Sequence, residues 1–67
     1  MIVYLEIWQD GNKSASLLHY DGSGFVPAIG DIIIGNYKNT KEEVFVHGKV
    51  FERLINHNSI VIRINQF

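Results

Sequence analysis

Cysteine is absent from this chain, which removes disulfide bridges and thiolate metal sites from the devices that could hold it together. Proline occurs once, at Pro27, and no proline-rich or low-complexity stretch interrupts the sequence. Charge of one sign is lacking too: six Lys and Arg face seven Asp and Glu, so no long-range field draws in a phosphate backbone. Apolar runs stop after a few residues, as at Ile32-Ile33-Ile34, where about 20 would be needed to cross a bilayer as a helix. Met1 leads into Ile2-Val3-Tyr4-Leu5-Glu6 with neither a basic segment nor a small-residue cleavage site, and the expectation is a cytoplasmic protein without membrane association.

What remains is a chain of 67 residues, 46% hydrophobic and 19% charged, apolar enough to fold and long enough for one domain spanning 1–67. A domain of this size buries only roughly 60% of the surface its unfolded chain exposes. With disulfides excluded, self-association is the stabilising device left open.

The hydrophobic pattern has period two. Val3, Leu5 and Ile7 point one way and Ile2, Tyr4, Glu6 and Trp8 the other, which predicts a first strand. Asp10-Gly11-Asn12-Lys13 carries the residues of a hairpin turn, with Ser14 to Tyr20 as the return strand and Asp21-Gly22-Ser23-Gly24 as its end. In Pro27-Ala28-Ile29-Gly30-Asp31, proline sets φ, Gly30 is free to turn left-handed and the Asp31 carboxylate can accept backbone N–H groups. A turn is therefore expected there, entering a third strand at Ile32-Ile33-Ile34, and Gly35 to Glu43 reads as a polar connection. Val44-Phe45-Val46 opens a long fourth strand running through Val50, Phe51 and Leu54, with Gly48 marking a bulge or a sharp bend. After an Asn56-His57-Asn58-Ser59 turn, Ile60, Ile62 and Ile64 alternate with Val61, Arg63 and Asn65 in a fifth strand. One segment supports a competing reading. Thr40-Lys41-Glu42-Glu43 fits a capping box and Val46, Val50 and Leu54 recur at helical spacing, so an α+β arrangement with a helix near 41–55 stays open, against which stand Gly48 and the Val-Phe-Val run.

The turn Pro27-x-x-Gly30-Asp31-x-Ile33, followed by a polar gap, a bent Val-rich strand and a final alternating strand, resembles small SH3-like β-barrel proteins of phages and mobile elements. The resemblance runs from about Phe25 to Ile64 in layout and is confined to the turn in actual residues. It implies an all-β fold, a five-stranded SH3-like barrel. Such proteins share no common activity, but some phage proteins of this size are stoichiometric antagonists of host defence. The resemblance thus implies a viral protein that engages a host protein or sequesters a small ligand in the host cytoplasm, and it transfers no functional residue.

Candidate chemistry is sparse. His19, His47 and His57 share no metal-ligand spacing, and no metal or cofactor is expected. Asp10, Asp21 and Asp31 read as turn formers, and none of Ser14, Ser16, Ser23 or Ser59 sits in a nucleophile elbow, so an enzyme is not expected. Asp21-Gly22-Ser23-Gly24 looks like a phosphate-cradling loop, yet the extended Phe25-Val26-Pro27 follows it where a helix should, and it is taken as a strand connection. The aromatic residues say more. Ile2, Tyr4 and Trp8 occupy the strand face that water would ordinarily cover, which marks them as an interface for self-association or a partner, unless the chain folds over them itself. A nucleic-acid-binding barrel using Tyr20, Tyr37, Lys38 and Arg53 is the second reading. The first is a non-catalytic, homo-oligomeric binding protein.

Overall fold

In a computed structural model, which describes residues 2–20, 26–38 and 43–67 with the side chains of 17–20 left aside, the period-two pattern becomes five strands. These are β1 (Ile2–Gln9), β2 (Asn12–Tyr20), β3 (Ile32–Lys38), β4 (Glu43–Ile55) and β5 (Ser59–Gln66). The Asp21–Gly24 loop and residues 40–42 of the capping box lie outside the described residues. Glu43–Ile55, where the competing reading put a helix, is a single strand of 13 residues. Gly35–Lys38, expected to be part of a polar connection, belongs to β3. Gly35 and Tyr37 are half-buried and alternate with exposed Asn36 and Lys38, the pattern of a strand solvated on one face, and all four pair with β4.

The hairpin joining β1 to β2 turns on Asp10 and Gly11 alone, with φ of 52° and 80°. Positive φ at both central positions twists the turn in the same sense as its strands. β2 accordingly starts at Asn12, two residues earlier than Ser14. In the turn before β3, Gly30 has φ 97° and the Ala28 N–H donates to Asp31 Oδ2 at 2.8 Å, while the Asp31 N–H returns a bond to the Ala28 carbonyl at 3.0 Å.

The strands form one sheet in the order β2-β1-β5-β4-β3, antiparallel throughout except for the parallel pair β1 and β5. The sheet is not closed, although β2 and β3, at the two ends of this order, come within 8 Å of each other between Cα atoms. Val3, Leu5, Ile7, Ile33, Val46, Val50, Ile60, Ile62 and Ile64 are buried from one face of that single sheet, so it curls around its own core. Buried Pro27 and half-buried Val26 cover part of the same core.

β4 makes the curl possible. Thirteen residues at about 3.3 Å each would reach roughly 40 Å if straight, more than the 29 Å extent of the molecule along its longest principal axis, and the strand carries an irregularity that bends it. Its register against β5 slips between Val50 and Glu52, leaving Phe51 as an extra, bulged residue. Gly48, expected to be the bulge or bend, stays in register and has another reason to be glycine. A Cβ built on it would lie 2.5 Å from the Asn65 carbonyl oxygen and 2.6 Å from Ile64 Cγ2.

Candidate functional site on the outer face

Pairing stacks the outward side chains of β1, β5 and β4 into three rows. Tyr4, Val61 and Leu54 form the first, Glu6, Arg63 and Glu52 the second, and Trp8, Asn65 and Lys49 the third. The bulge inserts Phe51 between the second and third rows, because an extra residue re-aims the side chain that carries it. Phe51 meets Trp8 edge to face, with centroids 6.2 Å apart and planes at 89°.

The middle row is an ion cluster. Arg63 donates from Nε to Glu6 Oε1 at 3.0 Å and from Nη1 to Glu52 Oε1 at 2.5 Å. The indole Nε1 of Trp8 donates to the same Glu6 oxygen at 3.2 Å, and Arg63 Cζ lies 5.4 Å from the centre of the Trp8 ring. Bonds to Glu52 and then Glu6 raise the Arg63 pKa above its usual value. With two carboxylates around one guanidinium, the cluster carries a net negative charge.

Two open hollows flank Phe51. One, of about 330 Å³, is lined by Trp8, Gly11, Phe51, Arg63 and Asn65. The other, of about 460 Å³, is lined by Ile29, Gly30, Lys49, Val50, Phe51, Asn65 and Phe67, so the two share a wall of Phe51 and Asn65. On the same outer face, beyond the ion cluster, Ile2, Tyr4 and Leu54 are each between 36% and 38% exposed, high for large apolar side chains in a sheet. Aromatic walls with amide and charged groups at their rim suit the burial of a partner's apolar side chain. Among the described residues, no group of three or more His, Cys, Asp and Glu is placed to hold a metal.

Of the residues expected at an interface, Ile2, Tyr4 and Trp8 do share the outer face. Ile2 and Tyr4 stay exposed, whereas Trp8 is half-buried under Phe51 and Arg63 of its own chain. Of the second set, three side chains are described. Tyr37 is half-buried against the core, where burial pushes its hydroxyl above the ordinary 10.0, and Lys38 is exposed on the other face. Arg53 pairs with Ile62 beyond the bulge, on the core side, with its Nε buried and without a hydrogen-bond partner among the described residues. The Tyr20 backbone pairs with Val3, and its side chain lies outside the described residues. Phe51, Arg63, Asn65 and Phe67 were not anticipated at a site. The alternation in β5 placed Arg63 and Asn65 opposite the core, but only the register with β1 brings them to Glu6 and Trp8.

Compared with known proteins, the chain matches no family model, no curated protein and no solved structure.

Proposed function

We propose that this chain is a non-catalytic binding protein whose outer β1-β5-β4 face docks a partner protein, with the Trp8–Phe51 hollow receiving an apolar side chain. The observation carrying this reading is the row Tyr4, Val61, Leu54 with Ile2 beside it, apolar and accessible where a sheet of this kind is ordinarily polar. The negative ion cluster beside the row favours a partner with a basic rim and opposes a phosphate backbone. Nucleic acid is accordingly the second reading, supported only by the aromatic rings of Trp8 and Phe51 and by Lys49. Five strands curled around one core support the SH3-like resemblance in size and strand number alone, while the parallel β1–β5 pair, the 13-residue β4 and the open order are features of this chain. Carried further, that resemblance makes the protein a phage or mobile-element product that engages a host protein stoichiometrically in the host cytoplasm.

Native mass spectrometry of the protein as purified from its producing cells tests the reading. The wild type is expected to carry a chain of different mass at fixed stoichiometry, and Ile2→Ser with Tyr4→Ser to release it. A wild type that carries no chain of another mass, or a complex with such a chain that is indifferent to both substitutions, refutes it. Titration of the single tryptophan with short single-stranded DNA at low salt tests the second reading, which fails if emission does not change.

A further inference from the structure

The two edges of the sheet are built differently. β2 carries Lys13 and slips register twice against β1, leaving Ser14 and His19 as extra residues. Bulges and lysines of this kind keep an edge from pairing with another chain. β3 pairs with β4 from Ile32 to Lys38 without a slip, contains no proline, and has its one charged residue at the far end.

Two hydrogen bonds fix which backbone groups of β3 face outward. The Val50 N–H donates to the Asp31 carbonyl at 2.9 Å, and the Phe67 N–H donates to the His47 carbonyl at 2.9 Å. The backbone of Val50 therefore points toward β3 and that of His47 away from it. Alternation in an antiparallel ladder then turns the groups of Ile33 and Gly35 toward β4 and those of Ile32, Ile34 and Asn36 away from it, to the side where β3 pairs with no other strand among the described residues. The side chains of Ile32 and Ile34 add to this edge, at 56% and 64% exposure.

We propose that β3 pairs antiparallel with β3 of a second copy, in the register that sets Ile34 opposite Ile34 and Ile32 opposite Asn36. This register keeps inward residues inward in both copies, and about six inter-chain backbone bonds satisfy the outward groups of Ile32, Ile34 and Asn36. A second copy is the occupant because an antiparallel strand is its own complement about a two-fold axis, and Ile34 at the centre gives an apolar cross-strand pair with no charge facing charge. The alternative edge-to-edge contact, β3 on β2 of another copy, is heterologous, so a pair of copies leaves one edge of each unpaired, and it meets the two bulges. The dimer leaves the Tyr4 face free and extends the curled sheet to ten strands.

Backbone exchange tests the register residue by residue. Sedimentation should show a monomer–dimer equilibrium, and amide exchange should slow with concentration at Ile32, Ile34 and Asn36 while Ile33 and Gly35 stay protected throughout. Ile34→Lys, which sets two cations opposite each other, should weaken the dimer at least about tenfold. A monomer at every concentration overturns the proposal. So does a dimer whose Ile32, Ile34 and Asn36 amides exchange freely, which means that another surface associates. Protection of these amides in the dilute monomer overturns it as well, by showing that β3 closes onto its own β2. Ile2→Ser with Tyr4→Ser should leave this dimer intact, so failure at the edge and failure of the outer-face reading are separately visible.

Discussion

Replacing Gly48 with alanine should cost this domain a large share of its stability, although the change adds one methyl group. The added Cβ would meet the Asn65 carbonyl oxygen at 2.5 Å, Ile64 Cγ2 at 2.6 Å and the Asn65 carbonyl carbon at 2.9 Å. Two of those atoms are backbone. Asn65 sits in the central strand β5, paired with Trp8 of β1 on one side and Lys49 of β4 on the other, so it cannot retreat without breaking a ladder. Overpacking of a core usually costs 1–3 kcal/mol, and a clash with pinned backbone belongs at the upper end, about 3 kcal/mol. Against roughly 3–10 kcal/mol for a domain of this length, and at about 4–8 °C per kcal/mol, the melting temperature should fall by about 12–24 °C. Gly35→Ala is the control, because its Cβ would meet only Tyr37 Cε2 at an ordinary 3.6 Å. It should leave stability unchanged or raise it by up to about 1 kcal/mol, since glycine inside a strand is unfavourable relative to alanine. Thermal and urea unfolding followed by circular dichroism gives both numbers. A Gly48→Ala loss below about 0.5 kcal/mol, or a Gly35→Ala loss as large as that at Gly48, would refute the close-approach argument.

Alkali should find a specific weak point in Tyr37. Burial raises its pKa above the unfolded value of 10.0, so its contribution is fully present below pH 10 and is lost as pH rises through the higher folded value. Unfolding measured from pH 8 upward should show a decline in stability beginning near pH 10 that is smaller in Tyr37→Phe; equal slopes in the two proteins would contradict this. Arg63→Met should remove the cation over Trp8 and the shared partner of Glu6 and Glu52, shifting the emission of the only tryptophan to longer wavelength as the indole gains water. An unchanged spectrum would show that Phe51 alone covers the ring.

Several local features were legible because their causes are local. Asp10-Gly11 and Ile29-Gly30-Asp31 turn where they do because glycine accepts positive φ and the Asp31 carboxylate reaches the Ala28 N–H, interactions that span at most three residues. The core faces of β1 and β5 followed from alternation alone. The end of β3 was misread because Asn36 and Lys38 look like loop residues until Glu43–Val46 lies alongside and makes them the solvated half of a strand. Phe51 escaped notice for a similar reason. Nothing in Lys49-Val50-Phe51-Glu52 announces a bulge, which exists only as a mismatch between the paths of β4 and β5.

By itself, then, the sequence determined the strands at the two ends of the chain, where two of its turns fall, and that the first strand is apolar on both sides, since these depend on φ preference and on which side chains avoid water. The choice between strand and helix near 41–55 was left to the assembled sheet. Tertiary structure decided the rest. It placed β1 parallel to β5, joined Glu6, Arg63 and Glu52 into one cluster from three neighbouring strands of the sheet, and made β3 rather than β2 the end strand that pairs without a register slip. Those outcomes depend on register between segments up to 57 residues apart, and register is a property of the assembled sheet.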